Sequence, residues 1–174
     1  YIGWTTSQPD LGLLGWTSAL HAHDPTVIQT IEYLPIHNWL LQNLEHTGMT
    51  SAWFDSFHDN IKNDVHGQLY STTTIMKQIV ELHEYDSGST PYSDRNQVIK
   101  FMISHDEQSV IQEMVEFSNY TLSQARERDK FYATILFTSL GVPMLLQGQE
   151  FGFKSGWLDD NGNGNWDEEK LDYR

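Results

Sequence analysis

Residues 97–104, with the sequence QVIKFMIS, constrain the fold more than any other part of the chain. Their apolar side chains fall on both alternating faces, whereas a strand with one face in water would alternate apolar with polar residues. A strand that is covered on both sides is typical of a parallel sheet with helices packed on it. The segment therefore predicts a buried strand in an α/β fold.

The remaining patterns alternate between strands and helices. Strands are predicted at residues 27–34, which Pro35 ends, and at residues 142–146, which form a short buried strand. Helices are predicted at residues 13–23, between residues 52 and 65, at residues 69–85 with Met76, Ile79, Val80 and His83 on one face, and from the capping pattern at Thr121 to about Leu140. Strands that alternate with helices indicate βα units.

Length, charge and cysteine content exclude several classes of protein. The chain has 174 residues, which fits one domain, and a formal net charge of −14. A protein this acidic repels nucleic-acid phosphates and anionic membrane surfaces, so we expect neither as a partner. The absence of cysteine excludes disulfides, thiolate catalysis and cysteine-based zinc sites, and it leaves the compartment open. Neutral sugars stay compatible with this composition.

Polar residues lie where the predicted strands end. Glu32 lies near the end of the first strand, His105 and Asp106 directly follow the second, and Gln147 and Glu150 follow the third. In a parallel β/α barrel, the carboxyl ends of the strands carry the active site. The sequence therefore predicts Glu32 and Asp106 as two carboxylates of one site.

Three segments resemble the alpha-amylase superfamily, glycoside hydrolase family thirteen. The sequence SHDE at residues 104–107 is similar to the fourth signature segment of that family. The sequence TIEYLP at residues 30–35 is similar to the third segment, which carries the general acid/base glutamate. FTSLGVPMLLQGQEFG at residues 137–152 is similar to the last barrel helix and strand. SHDE and QGQE are most similar to the glucan branching enzymes.

The resemblance implies a partial (β/α)8 TIM barrel, roughly strands five to eight with their helices. Residues 1–174 would form the C-terminal half of the catalytic barrel, with residues 153–174 as an acidic loop after the last strand. The full enzyme would be a retaining hydrolase or transglycosylase acting on an α-glucan or maltooligosaccharide. A non-catalytic barrel remnant that holds glucan, or has only a structural role, is the rival hypothesis.

The resemblance also implies a role for each candidate residue. Glu32 would be the general acid/base, and Asp106 would stay ionised and hold sugar hydroxyls. His105 would hydrogen-bond the same sugar. Trp53 and His58 would contact the substrate, with packing as the alternative for both.

Two departures from the family pattern bear on the site. Ile31 stands before Glu32, where the family usually has a small residue. The family's nucleophilic aspartate lies on an earlier strand, yet none of the 31 residues before Glu32 forms a strand with an Arg-x-Asp pattern. We therefore expect the nucleophile to be missing from this chain. A half barrel would also need its missing half or self-associate, because it exposes two strand edges.

One acidic loop follows a calcium-binding pattern. Oxygen-bearing side chains occupy loop positions 1, 3, 5 and 9 in the residues Asp159, Asn161, Asn163 and Asp167. Position 12, which is normally Glu, is Lys170. Calcium is thus one hypothesis for this loop and a solvated acidic turn is the other; the mechanism itself requires no cofactor.

We predict that the purified 174-residue chain does not hydrolyse starch or maltooligosaccharides, because the expected nucleophile is missing. A reducing-sugar assay with an active amylase as positive control measures this. Turnover by the isolated chain that Asp106→Asn abolishes would contradict the prediction.

Overall fold

The computed structural model describes residues 12–32, 47–68, 72–83 and 91–152, and every structural statement concerns these residues. Its strands are β1 (Thr30–Ile31), β2 (Ser51–Trp53), β3 (Val98–Phe101) and β4 (Val142–Met144). They form one parallel sheet in the order β1-β2-β3-β4. The α/β class is confirmed, and a four-stranded parallel sheet with helices is compatible with part of a barrel.

One α-helix precedes β1, and the others described lie between β2 and β3 and between β3 and β4. The α-helices are α1 (Leu13–His23), α2 (Asp55–Val65), α3 (Thr72–Lys77), α4 (Val110–Phe117) and α5 (Leu122–Thr138). Short 3₁₀ helices cover Arg95–Gln97 and Gln149–Phe151. In the described ranges, no helix has the length and apolar character needed to cross a membrane.

Strand β3 is buried along its whole length, as the sequence predicts. Its Lys100 is 1% exposed, and the ammonium group donates a hydrogen bond to the Gln78 carbonyl at 2.5 Å. The same ammonium lies 5.2 Å from the ring centre of Phe54 and 5.5 Å from that of Phe57. A buried charge needs such partners to offset its lost hydration, so this lysine is compatible with a covered strand.

Helices α2, α4 and α5 cover the sheet with a continuous apolar core. Its fully buried members include Phe54, Phe57, Met102, Met114 and Leu136. A polar contact also joins the two longer helices: the carboxylate of Asp64 on α2 accepts hydrogen bonds from Arg128 at 2.7 Å and Tyr132 at 2.6 Å on α5.

The sequence prediction was wrong about the start of α2. Apolar residues recur every fourth position from Trp53, which predicts a helix there, but Trp53 ends strand β2 and the helix begins at Asp55. The strand has three residues, so its alternation was too short to stand out against the helical spacing. Helix α4 was also missed, although Ser109 caps it by accepting a hydrogen bond from the Gln112 amide.

Other boundaries and faces differ from the predictions. The described part of the first strand is limited to Thr30–Ile31. Helix α3 ends at Lys77 and buries Ile75 while Met76 is exposed; in the turn that follows, Gln78 is buried and Val80 is exposed. Strand β4 was predicted to be buried, but Val142 is 39% exposed. Among the described strands β4 pairs with β3 alone, so its other side is uncovered. The predictions for residues 33–35, 69–71, 84–85 and 153–174 lie outside the described residues.

The N-terminus of α5 follows the predicted capping box and provides a test of the fold. The Thr121 hydroxyl accepts the Gln124 amide at 3.3 Å, and the Gln124 side chain accepts the Thr121 amide at 2.9 Å. We predict that Thr121→Ala lowers the free energy of unfolding by about 1 kcal/mol in urea denaturation, because it removes the cap.

Thr134→Ala on the same helix is the matched control. Thr134 is exposed and its hydroxyl bonds the Lys130 carbonyl within the helix. Alanine has the higher helix propensity, so this change should leave stability equal or raise it. Equal losses in both variants would contradict a capping role for Thr121.

Candidate functional site

The carboxyl ends of the four strands define one edge of the sheet, which we call the carboxyl edge. The parallel register places Ile31 beside Ala52, Trp53 beside Ile99, and Phe101 beside Met144. Residues 102–109 connect β3 to α4 at this edge and are called the β3–α4 loop. Parallel sheets of this kind hold ligands outside the carboxyl ends of their strands.

His105 and Asp106 lie in the β3–α4 loop and are open to solvent. Their side chains are 70% and 56% exposed, and His105 Nε2 lies 3.3 Å from Asp106 Oδ1. The Asp106 amide donates a hydrogen bond to the Ser104 hydroxyl at 3.2 Å, which shapes the turn. The pair therefore presents an imidazole and a carboxylate together at the carboxyl edge.

Glu32 follows β1 directly, at the same edge. Its side chain is exposed, and its charge acts on the neighbouring carboxyl of Asp55. The bulky Ile31 before it is partly buried and packs against the core. The large residue that departs from the family pattern is thus accommodated by packing.

Trp53 and His58 contact the β3 segment. The Trp53 ring packs on Phe101, with ring centres 5.0 Å apart. His58 is 3% exposed, and its ring stacks on the same Phe101 ring, with ring centres 5.4 Å apart. Its Nδ1 lies 2.6 Å from the Met102 carbonyl oxygen, and its Nε2 forms an ion pair with Glu107. Both ring nitrogens of His58 are therefore engaged inside the protein.

Glu107, which belongs to the β3–α4 loop, is the centre of a group of charged side chains. Burial opposes ionisation of the Glu107 carboxyl, but the hydrogen bond from His58 and the positive charges of His58 and Lys62 outweigh it and lower its pKa to about 2. Lys62 lies 3.2 Å from Glu107 and 3.7 Å from Glu113. Glu113 in turn pairs with His66 at 2.6 Å.

Asp55 is a carboxylate at this edge that the sequence prediction missed. It begins α2 two residues after β2 ends, and it is partly buried. Burial, then the negative charge of Asp59, with smaller contributions from Glu107 and Glu32, raise the pKa of Asp55 to about 6 against the opposing charge of His58. The signal that could have identified Asp55 is an acidic residue close after a strand, but the sequence pattern predicts a helix over the residues of β2.

The structure thus brings Glu32, Asp55, His105 and Asp106 to one edge, with Trp53 and His58 beside β3. The predicted calcium ligands Asp159, Asn161, Asn163 and Asp167 lie outside the described residues, so calcium binding stays a prediction. Within residues 12–32, 47–68, 72–83 and 91–152, no group of three or more acidic or histidine side chains is arranged to hold a metal ion.

Comparison with solved structures shows which proteins share this fold. The chain superposes on a pullulanase from Anoxybacillus sp. LM18-11 complexed with maltotetraose with a TM-score of 0.60 and 22% identity, over 80% of this chain and 22% of the pullulanase. For the multi-modular glycogen-degrading pneumococcal virulence factor SpuA the TM-score is 0.58 at 19% identity, over 79% of this chain and 16% of SpuA. For an Anoxybacillus alpha-amylase it is 0.59 at 14% identity, over 91% of this chain and 32% of the amylase.

Because the sequence identities are only 14% to 22%, these likenesses show the fold alone. The chain spans between 16% and 32% of the length of these structures, so it corresponds to a segment of each. No protein-family model and no curated protein sequence matches the chain.

The raised pKa of Asp55 predicts a stability change with a definite sign. A folded-state pKa of about 6 lies above the ordinary value of 3.8, so ionising Asp55 costs more in the folded state. That cost appears as the pH rises from about 4 to above 6. We predict that Asp55→Asn raises the free energy of unfolding by about 1 kcal/mol at pH 8, after a discount for solvent screening, and changes it little near pH 4.

Asp24→Asn provides a control of opposite sign. Hydrogen bonds from the Thr26 side chain and backbone lower the pKa of Asp24. Its removal should therefore give no gain in stability as the pH rises. Urea denaturation at pH 4 and pH 8 measures both variants, and a pH-independent effect of Asp55→Asn would contradict the assigned environment.

Proposed function

We propose that this chain is part of the catalytic barrel of a retaining α-glucan-active glycoside hydrolase or transglycosylase. The observation that carries the proposal is that Glu32 and the His105–Asp106 pair are exposed at one carboxyl edge of a parallel sheet. Glu32 follows β1 and the His105–Asp106 pair follows β3, with β2 between the two strands, in the same chain order as the signature segments that they resemble. Carboxylates at such an edge are the groups that glycosidic bond cleavage uses.

Each residue has a role in the proposed reaction. Glu32 protonates the glycosidic oxygen as general acid and then activates water or an acceptor sugar as base. Asp106 stays ionised, accepts hydrogen bonds from sugar hydroxyls and favours the cationic transition state. His105 donates a hydrogen bond to the same sugar. In a retaining enzyme the nucleophilic carboxyl lies about 5–5.5 Å from the acid/base carboxyl, and here it would come from an earlier barrel strand.

The structural neighbours support an α-glucan as the substrate class. The pullulanase structures hold maltotetraose and maltotriose, and SpuA is a glycogen-degrading protein. Among enzymes of this class, the SHDE and QGQE segments favour a type like the glucan branching enzymes. Hydrolysis and transfer differ in whether water or a second sugar accepts the glycosyl group.

The two outer strands support a larger barrel around this sheet. Within the described residues, β1 and β4 each pair with a strand on one side only. Apolar side chains near β4 are exposed, with Val142 at 39%, Leu145 at 42% and Phe137 at 58%. Strand edges and apolar surface of this kind are normally covered, so we propose that further barrel strands or a second copy of the chain cover them.

Under this proposal, the test uses a protein in which an upstream barrel half precedes this chain. We predict that Glu32→Gln and Asp106→Asn each lower kcat on maltotetraose and glycogen about 10²- to 10⁴-fold, because each removes a group that acts on the transition state. The measurement is the rate of release of reducing sugar together with chromatography of branched products.

Glu150→Gln is the matched control at the same edge. Its carboxylate accepts a hydrogen bond from the Gly148 amide at 2.8 Å and has no role in the proposed reaction. This variant should keep its activity. Full activity in Glu32→Gln would contradict the proposal, and glucan binding without turnover in the unsubstituted protein would favour the non-catalytic module.

A further inference from the structure

The β3–α4 loop must hold two exposed side chains in place although it lies outside regular structure. Asp106 is five residues beyond the end of β3, and its own side chain is 56% exposed. Solvent does not fix an exposed loop side chain, whereas a site for a transition state needs its groups held within a fraction of an ångström. Something buried beneath the loop must therefore fix its path.

His58 contacts this loop and the strand before it at three points. Its ring stacks on Phe101 with the two planes 11° apart, at the end of β3. Its Nδ1 lies 2.6 Å from the carbonyl oxygen of Met102, a residue 44 positions away in the sequence. Its Nε2 pairs with the carboxylate of Glu107, which directly follows Asp106. Two of the contacted residues, Phe101 and Met102, precede His105 and Asp106 in the chain, and the third, Glu107, follows them.

The chemistry of the two partners fixes the protonation of His58. A carbonyl oxygen and a carboxylate are both acceptors, so both ring nitrogens must carry a proton to donate to them. Burial alone would lower the pKa of His58, but the hydrogen bond and charge of Glu107, with the Met102 bond, raise it above its ordinary value. Asp55 and Lys62, both on α2, also act on the ring, and Glu113 on α4 lines the same small cavity as His58 and Lys62.

We propose that the buried His58 and the partly buried Glu107 form an ion pair that positions the β3–α4 loop and thereby holds His105 and Asp106 in their working geometry. The catalytic consequence rests on the proposed function, whereas the effect on the loop does not. His58 is then a positioning residue that acts through the loop, instead of the sugar contact that the sequence predicted. The ion pair is complete between the pKa of Glu107 and that of His58, and it weakens as the pH rises through the latter.

The test measures the ring and the loop in the 174-residue chain. Histidine labelled with ¹⁵N should show both ring nitrogens of His58 protonated at pH 6. Glu107→Gln keeps the shape of the side chain and removes its charge, so the titration midpoint of His58 should fall to lower pH. The backbone amide signals of His105 and Asp106 should shift with the same midpoint in the unsubstituted chain.

His66, the residue that caps the C-terminus of the same helix, is the matched control. It pairs with Glu113 at 2.6 Å and contacts the Phe117 ring, but none of these residues belongs to the β3–α4 loop. We predict that His58→Phe shifts the amide signals of His105 and Asp106 and that His66→Phe does not. Should His58→Phe fail to fold, Glu107→Gln gives the same comparison.

Two outcomes would overturn the positioning role. One is a neutral His58 ring at pH 6, and the other is unchanged amide signals of His105 and Asp106 in Glu107→Gln. In the longer enzyme, Glu107→Gln should lower kcat more than it changes KM and should move the basic limb of the pH profile to lower pH. An inactive unsubstituted enzyme would contradict the proposed function, and the NMR comparison would still decide the positioning role.

Discussion

The parallel pairing of four short strands is the constraint on which the rest of the structure depends. The strands have between two and four residues, so their ladders alone would not hold a sheet together. Stability comes instead from the helices, which bury Phe54, Phe57 and Met102 completely against the sheet. Parallel pairing also leaves the carboxyl end of every described strand at the same edge of the sheet. Residues that are distant in the sequence, such as Glu32 and Asp106, therefore share one surface.

Charge is distributed unevenly at that edge. The chain has 24 acidic and 10 basic residues, yet His58 and Lys62 both lie beside Glu107. They lower the pKa of Glu107 to about 2, while burial and like charges raise the pKa of Asp55 to about 6. Neighbouring carboxyls with pKa values pushed apart are typical of acid/base sites. Under the proposed function, a negative edge would also favour the cationic sugar transition state.

The sequence predicted the elements whose signals are local. Strand β3 was recognisable from its apolar run, and α5 from the Thr121 capping box. Strand β2 was missed because three residues carry too little alternation, and Asp55 was missed with it. The exposure of Val142 depends on which strands lie beside β4, and the part played by His58 depends on a contact with Met102, 44 residues away. No local pattern carries such information, so these features required the three-dimensional structure.

The two predicted carboxylates are held in place by different means. Glu32 directly follows β1, where the Thr30 and Ser51 hydroxyls share a hydrogen bond of 2.7 Å and Ile31, which departs from the family pattern, packs against the core. The sheet itself therefore sets its position. Asp106 lies on an exposed turn, where its geometry depends on the loop path. In our proposal, the ion pair between His58 and Glu107, the residue directly after Asp106, supplies the rigidity that the strand gives to Glu32.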